Sequence, residues 1–104
     1  MGLKDLMVEV ISVKGKCPVY SVGDRFILRD GYRIEASARK NICVHSLGSV
    51  MPWVVALSSG VRPHELGLAH PNASCGYVQC LDPSAPYTPG ETVTFCIKEV
   101  GENG

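Results

Sequence analysis

The sequence predicts an α+β domain, with a small, mainly antiparallel sheet and one central, kinked helix. Three observations predict it: β-branched runs near both ends of the chain, an Asp-Gly turn between two short apolar runs, and a middle segment with helical periodicity. Strands that precede and follow a single helix are typical of this class. The 104 residues predict a single domain over 1–104, with frayed termini at 2–5 and 101–104.

The first predicted strand covers residues 6–13, which are rich in β-branched side chains. Its apolar residues occur at both odd and even positions, which point to opposite faces of a strand. We therefore expect it at the centre of the sheet, buried on both faces. Residues 25–29 and 32–35 predict a hairpin across Asp30 and Gly31, because two residues of this type accept positive φ. A two-residue turn would pair Arg29 with Tyr32.

The predicted helix follows, with Asn41 as its cap and Gly60 at its end. Pro52 lies inside it and should kink or split it. Residues 61–75 are expected to form a loop, and residues 76–80 and 92–100 two further strands. Apolar residues recur at steps of three and four along the helix, at Cys43, Leu47, Val50, Val54 and Leu57, with Met51 and Val55 widening this stripe.

The charge balance excludes a class of partner. Ten basic and ten acidic residues give zero net charge, which is not the basic footprint of a nucleic-acid-binding protein. The sequence has neither a signal-peptide pattern at its start nor an apolar run long enough to span a membrane. We therefore expect a cytoplasmic protein, in which cysteines are reduced and act as metal ligands, reactive thiols or buried apolar residues rather than a disulfide frame.

Five cysteines in a chain of this length are the most unusual feature of the composition. Cys17, Cys43 and Cys80 each fall at the end of a predicted element, where ligands can converge. Cys96 lies in the middle of a strand and is expected to be structural, and Cys75 is doubtful as a ligand. No C-x-x-C spacing occurs, which excludes a thioredoxin-like motif and the usual zinc fingers.

The order of several short segments resembles an uncharacterised family of prokaryotic proteins of about this length, many of them from anaerobes. The matching segments are a Gly-x-Cys-Pro-Val sequence at 15–19, a helix-opening Cys43, a Cys-x-Asp turn that begins at Cys80, and a closing Val-x-Phe-x-Ile strand at 93–97. Many members carry a second cysteine where this chain has Gln79. The resemblance implies a site on Cys17, Cys43 and Cys80, but the family has no established activity.

These observations predict a small metal-binding protein that carries an iron–sulfur cluster on Cys17, Cys43 and Cys80. The cluster would transfer electrons or act as a Lewis acid on a small molecule, and whether the protein is an enzyme stays open. The fourth ligand is unknown, with Cys75 and His45 as candidates. Asp82, beside the expected site, is a candidate catalytic residue.

Two alternatives stay open. The first is a structural zinc site, with His45, His64, His70 or Cys75 as the fourth ligand. The second is a metal-free accessory or interaction subunit in which the cysteines only pack. A homo-oligomer or a larger redox partner is expected, because the apolar surface exceeds what one layer can cover; neither nucleic acid nor a membrane is expected as a partner.

Overall fold

A computed structural model describes residues 3–15, 17, 19–36, 41–81, 86–88 and 92–100. The expected fraying at 101–104, and at the second residue, lies outside these ranges. The strands are β1 (Leu6–Lys14), β2 (Arg25–Arg29), β3 (Arg33–Ala36), β4 (Cys75–Gln79) and β5 (Thr92–Glu99), and the helices are α1 (Val44–Ser58) and a short 3₁₀ turn, Pro63–Leu66.

The described strands form one antiparallel sheet in the order β3-β2-β1-β5-β4. This confirms the predicted α+β class and the central position of β1. The expected burial of β1 on both faces is wrong, because Met7 and Glu9 are only partly buried and Ile11 is 41% exposed. One face of the sheet carries Leu6, Val8 and Val10 of β1, all at most 2% exposed. Helix α1 covers this face with three buried side chains, Val50, Val54 and Leu57. Burial of such side chains, worth roughly 1.5–3 kcal/mol each, holds the two layers together.

The β2–β3 hairpin turns at the predicted position, but its register differs by one residue. Asp30 and Gly31 have φ values of 60° and 83°, as an Asp-Gly turn requires. Arg29 pairs with Arg33 rather than with Tyr32, so Tyr32 belongs to the turn, where its amide donates to the carbonyl of Arg29 at 3.1 Å. The predicted pairing with Tyr32 is therefore wrong. A shift of one residue exchanges the faces of β3 relative to β2.

Helix α1 runs uninterrupted through Pro52. The hydrogen bond that a proline lacks would have gone to the carbonyl of Gly48, and Gly48 is exposed, so water can satisfy that carbonyl. The helix begins after Cys43 rather than after Asn41. The expected widening of its buried stripe is wrong, because Met51 and Val55 are 42% and 66% exposed.

The N-terminal segment is tied to the sheet and to the helix. The carboxylate of Asp5 accepts the Asp30 amide at 3.0 Å and the Arg29 guanidinium at 2.8 Å. The amide hydrogen bond, followed by the Arg29 side chain, lowers the pKa of Asp5 below its usual value of 3.8. The amide of Lys4 donates to the carbonyl of Ser58, at the end of α1, at 2.7 Å. Asp5 therefore fixes the β2–β3 turn next to the start of β1.

We expect the contribution of Asp5 to stability to depend on pH. Its pKa is lower in the folded protein, so its stabilising effect is full above the unfolded-state pKa and is lost as pH falls through the folded-state pKa. Asp5→Asn should therefore lower the urea midpoint at pH 7, and the gap to the wild type should narrow as pH falls below the unfolded-state pKa of about 3.9. A gap that stays constant from pH 7 to pH 3 would contradict this role.

Candidate functional site

Tyr20 connects the sheet, the segment before β2 and the start of α1. Its ring packs edge-on against Phe95, with centroids 5.5 Å apart and planes at 85°. Its hydroxyl lies 2.8 Å from the hydroxyl of Ser46 and 3.0 Å from the amide nitrogen of Cys43. Cys43 is the N-cap of α1 and makes no side-chain capping bond. The Tyr20 hydroxyl thus binds a backbone amide at the helix start that no local side chain satisfies.

The direction of each hydrogen bond in this group follows from counting protons. The carbonyl of Cys43 can only accept, so the Ser46 hydroxyl donates its single proton to that carbonyl, at 2.6 Å. The Tyr20 hydroxyl must then donate to Ser46 and accept from the Cys43 amide. This arrangement requires the neutral phenol. It agrees with the raised pKa of Tyr20, for which burial is the main cause.

Two of the predicted site cysteines lie on either side of Tyr20. The Tyr20 amide donates to the sulfur of Cys17 at 3.3 Å, and Cys43 is held through its own amide. Negative charge on either sulfur would raise the pKa of the Tyr20 phenol, so both lie within electrostatic range of that hydroxyl. Both side chains are half-buried against the core.

Cys80, the third predicted cysteine, directly follows β4. Its amide donates to the carbonyl of Val93 at 2.8 Å, and its side chain packs against the core. The preceding residue, Gln79, accepts the Ser49 hydroxyl of α1 at 2.6 Å through its carbonyl. Cys80 is therefore fastened near the N-terminal half of α1, and its burial is that of a packing residue.

The prediction of a metal-binding protein is wrong. Among the residues that the structure describes, no three His, Cys, Asp or Glu side chains are placed to hold a metal ion. Cys17 and Cys43 flank Tyr20 and Cys80 follows β4, and within the described ranges these three cysteines do not form a group that could hold a metal ion. The identity of a cofactor, iron–sulfur cluster or zinc, stays a prediction of the sequence.

The candidate fourth ligands do not complete such a site. Cys75 is bonded to Cys96 in a disulfide, and His45 is exposed on the first turn of α1. His64 and His70 follow the C-terminal end of α1, a helix about 22 Å long, whereas Cys43 lies at its start. Asp82, the candidate catalytic residue, lies outside the described residues.

The disulfide between Cys75 and Cys96 corrects the expectation that the cysteines do not pair. Cys75 is opposite Lys98 and Cys96 is opposite Tyr77, so the two cysteines are diagonal neighbours on adjacent strands. Their Cα atoms are 5.7 Å apart, within the usual range for a disulfide. The bond links edge strand β4 to β5 on the face of the sheet that α1 does not cover.

A second apolar surface lies on the side of α1 that faces away from the sheet. Val44, Met51 and Val55 are 78%, 42% and 66% exposed and lie within an arc of about 40° on the helix. The buried side of the helix is centred more than about 110° away. Together with Gly48, which lies about 20° beyond this arc, these residues are named the outer stripe. No charged residue occurs anywhere in α1.

Leu81 extends the outer stripe. A Cβ atom added to Gly48 would lie 2.6 Å from the Cδ1 atom of Leu81, so the leucine side chain occupies the notch that the glycine leaves. Leu81 itself is 62% exposed. The combined surface is apolar where a monomeric helix normally carries charged or polar groups.

No protein-family model, curated protein or solved structure matches this chain. The resemblance to the uncharacterised prokaryotic family therefore stays a prediction. No helix among the described ranges is long and apolar enough to cross a membrane.

Sequence reasoning missed Tyr20, Ser46 and the outer stripe. Nothing in the residues around Tyr20 indicates that its hydroxyl reaches a helix more than twenty positions away. The sequence does contain a signal of the outer stripe. Helix residues 44–58 include valine and methionine at positions outside the buried stripe, and they include no charged residue.

We expect Tyr20→Phe to destabilise the protein by about 1–2 kcal/mol, because the Cys43 amide loses its acceptor. The urea midpoint should fall, and the Cys43 amide should exchange faster with solvent in NMR. Tyr32→Phe is the matched control, since Tyr32 is 79% exposed. Equal midpoints for the two variants would contradict the proposed role of the Tyr20 hydroxyl.

Alkylation of the unfolded protein without reductant should modify three cysteines, and alkylation after reduction should modify all five. Reduction should lower the free energy of unfolding by about 3 kcal/mol, because the disulfide closes a loop with a sequence separation of 21. The variant Cys75→Ala/Cys96→Ala should not respond to reductant, whereas Cys80→Ala should still respond. Five reactive thiols before reduction would exclude the disulfide.

Proposed function

We propose that this protein is an assembly module that pairs with a second copy of itself through the outer stripe of α1. The observation that carries the proposal is the uncharged apolar stripe of Val44, Met51 and Val55, exposed on the solvent side of a helix whose other side is already buried in the core. An apolar patch of this kind marks an interaction site more often than a free surface.

The chemistry of the stripe favours a second copy over a charged partner. The chain has zero net charge, so two copies do not repel each other at long range. The stripe itself has no ionisable group, and a surface without charge can face itself without placing like charges together. A contact between identical patches is what a two-fold dimer requires.

The spacing of the stripe also suits an antiparallel pair of helices. Residues 44 and 55 lie equally far from the midpoint between residues 49 and 50, and so do residues 48 and 51. A two-fold axis at this midpoint places Val44 of one copy against Val55 of the other. It places Met51 against the Gly48 notch and the Leu81 side chain that fills it. Large and small positions then alternate across the contact.

The size of the contact supports reversible association. Burying Val44, Met51, Val55 and Leu81 of both copies contributes on the order of 10 kcal/mol. Immobilising two molecules costs an estimated ~4–15 kcal/mol. We therefore expect a dimer that dissociates on dilution rather than a permanent one.

Charge placement on the stripe tests both the dimer and its geometry. Sedimentation equilibrium of the wild type should give twice the chain mass of 11.2 kDa at high concentration. Val44→Lys/Val55→Lys should be monomeric, because lysines face each other across the two-fold axis. Val44→Glu/Val55→Lys should restore the dimer, because each glutamate then faces a lysine of the other copy. This second variant also suits the dipole of α1.

Val22→Lys is the matched control, since Val22 is 64% exposed and lies in the turn before β2. It should dimerise like the wild type. A wild type that is monomeric at its highest soluble concentration would overturn the proposal. A dimer that survives the double lysine substitution, or that the glutamate–lysine variant fails to restore, would overturn the antiparallel pairing.

The compartment in which this module works stays a proposal. The sequence predicts the cytoplasm, whereas the Cys75–Cys96 disulfide supports an oxidising compartment, because disulfides seldom persist where thioredoxin and glutathione act. Trapping thiols inside intact cells before lysis, followed by a thiol count on the purified protein, distinguishes the two.

A further inference from the structure

The two cysteines of the disulfide differ in their access to solvent. Cys75 and Cys96 lie on the face of the sheet that α1 does not cover, together with Lys98. Cys75 begins edge strand β4 and is half-buried. Cys96 lies in β5, with a strand on each side, and is 5% exposed. A sulfur atom of another molecule can therefore approach Cys75 but not Cys96, and access of this kind decides which sulfur takes part in exchange.

Lys98 lies close to Cys75. The Tyr77 amide points out of the sheet, to the carbonyl of Leu68, so Tyr77 and the residue two positions before it face β5 in non-hydrogen-bonded pairs. The residue opposite Cys75 is Lys98. In pairs of this type the Cα atoms are about 4.5 Å apart and the side chains are at their closest. A thiolate on Cys75 would therefore have a positive charge beside it.

The neighbours of Cys96 have a different charge. Glu9 is opposite Cys96 on β1, and Tyr77 is opposite it on β4. Arg25, the nearest cation on that side, is one strand further away, opposite Glu9. Opposite charge favours a thiolate and like charge disfavours it. Once the disulfide is reduced, the negative sulfur is thus favoured at Cys75, which is also the accessible one.

Strand β4 is held in place by more than the disulfide. Besides the bond between Tyr77 and Leu68, at 2.9 Å, the Gln79 carbonyl accepts the Ser49 hydroxyl of α1 at 2.6 Å. The register with β5 adds the backbone hydrogen bonds of an antiparallel pair. None of these bonds involves a sulfur atom. We therefore expect β4 to keep its place when the disulfide is reduced, with the two thiols still adjacent.

We propose that Cys75 and Cys96 form a thiol–disulfide exchange site for an accessible disulfide of another molecule, with Cys75 as the nucleophile and Cys96 as the resolving thiol. In the reduced protein the Cys75 thiolate bonds to one sulfur of that disulfide, and the other sulfur leaves as a thiolate. Cys96 then loses its proton to water and bonds to the Cys75 sulfur, and the second sulfur of the other molecule leaves. Two electrons pass from the cysteines to the other molecule, whose two thiolates take up protons. This site lies on the opposite side of the sheet from the outer stripe and does not depend on the dimer.

The test mixes the reduced full-length chain with glutathione disulfide or, in a second arm, with disulfide-bonded insulin. Samples are quenched with acid, and the bonded cysteines are identified by peptide mass spectrometry. Cys96→Ser should accumulate the mixed disulfide on Cys75, because no thiol resolves it. Cys75→Ser, its matched control, should leave Cys96 unmodified. The wild type should re-form the bond between Cys75 and Cys96. The faster arm shows whether a small-molecule or a protein disulfide is the substrate.

Lys98→Gln tests the role of the charge. With hydroxyethyl disulfide, an uncharged probe, it should slow formation of the mixed disulfide about twofold or more, because the thiolate on Cys75 loses its favourable neighbour. Lys98→Arg should restore the rate. Lys14→Gln, which changes an exposed lysine at the far end of β1, should leave it unchanged. The difference between Lys98→Gln and the wild type should shrink in high salt, where the charge is screened.

Three results would overturn the proposal. A reduced wild type that does not re-form the bond between Cys75 and Cys96 would exclude an exchange site. Mixed disulfide on Cys96 as readily as on Cys75 would exclude the assigned roles, and equal slowing by Lys14→Gln and Lys98→Gln would exclude the effect of the charge. Acid quenching of the wild type at early times traps the same mixed disulfide without a cysteine substitution, so the roles are tested even where a cysteine variant fails to fold.

Discussion

The hydroxyl of Tyr20 is the contact on which the arrangement of helix and sheet depends. Helix α1 has no side-chain cap and no acidic residue in its first turn, so its N-terminal amides need a partner from elsewhere. Tyr20 supplies one while its ring packs on Phe95 in the core. The start of the helix is therefore fixed relative to β5, and the buried side chains of Val50, Val54 and Leu57 determine which side of α1 faces the sheet.

Both edges of the described sheet are protected against pairing with another chain. On the outer edge of β4 the Tyr77 amide donates to the carbonyl of Leu68 at 2.9 Å, so this amide is not available to another strand. Edge strand β3 carries Arg33 and Glu35, which pair with Asp30 and Arg29 across the hairpin. Charged residues on an edge strand disfavour strand addition. These features leave the outer stripe of α1, rather than a sheet edge, as the surface best suited to self-association.

The strands, the Asp-Gly turn and the buried stripe of the helix could be predicted because each is a local pattern of neighbouring residues. The hairpin register could not, because it depended on whether Tyr32 joined the turn. The disulfide was missed for a related reason. The long connection between β4 and β5 leaves their register open, so the sequence does not show that Cys75 and Cys96 become diagonal neighbours. The three-cysteine site failed in the described part of the chain although Cys17 and Cys80 both follow strands that end beside the start of β5, because a shared end of the sheet does not by itself bring three side chains close enough to hold one metal ion.

The composition of α1 links its stability to what covers it. Gly48 and Pro52 lower the intrinsic stability of the helix by roughly 1 and 3 kcal/mol, and two exposed valines add little propensity. Core packing on one side and the Tyr20 hydroxyl at one end must therefore hold the helix in place. A second copy on the outer stripe would bury the other side and stabilise the same helix. Folding of α1 and association are then coupled, since any contact made only by the folded helix shifts its equilibrium toward the folded form.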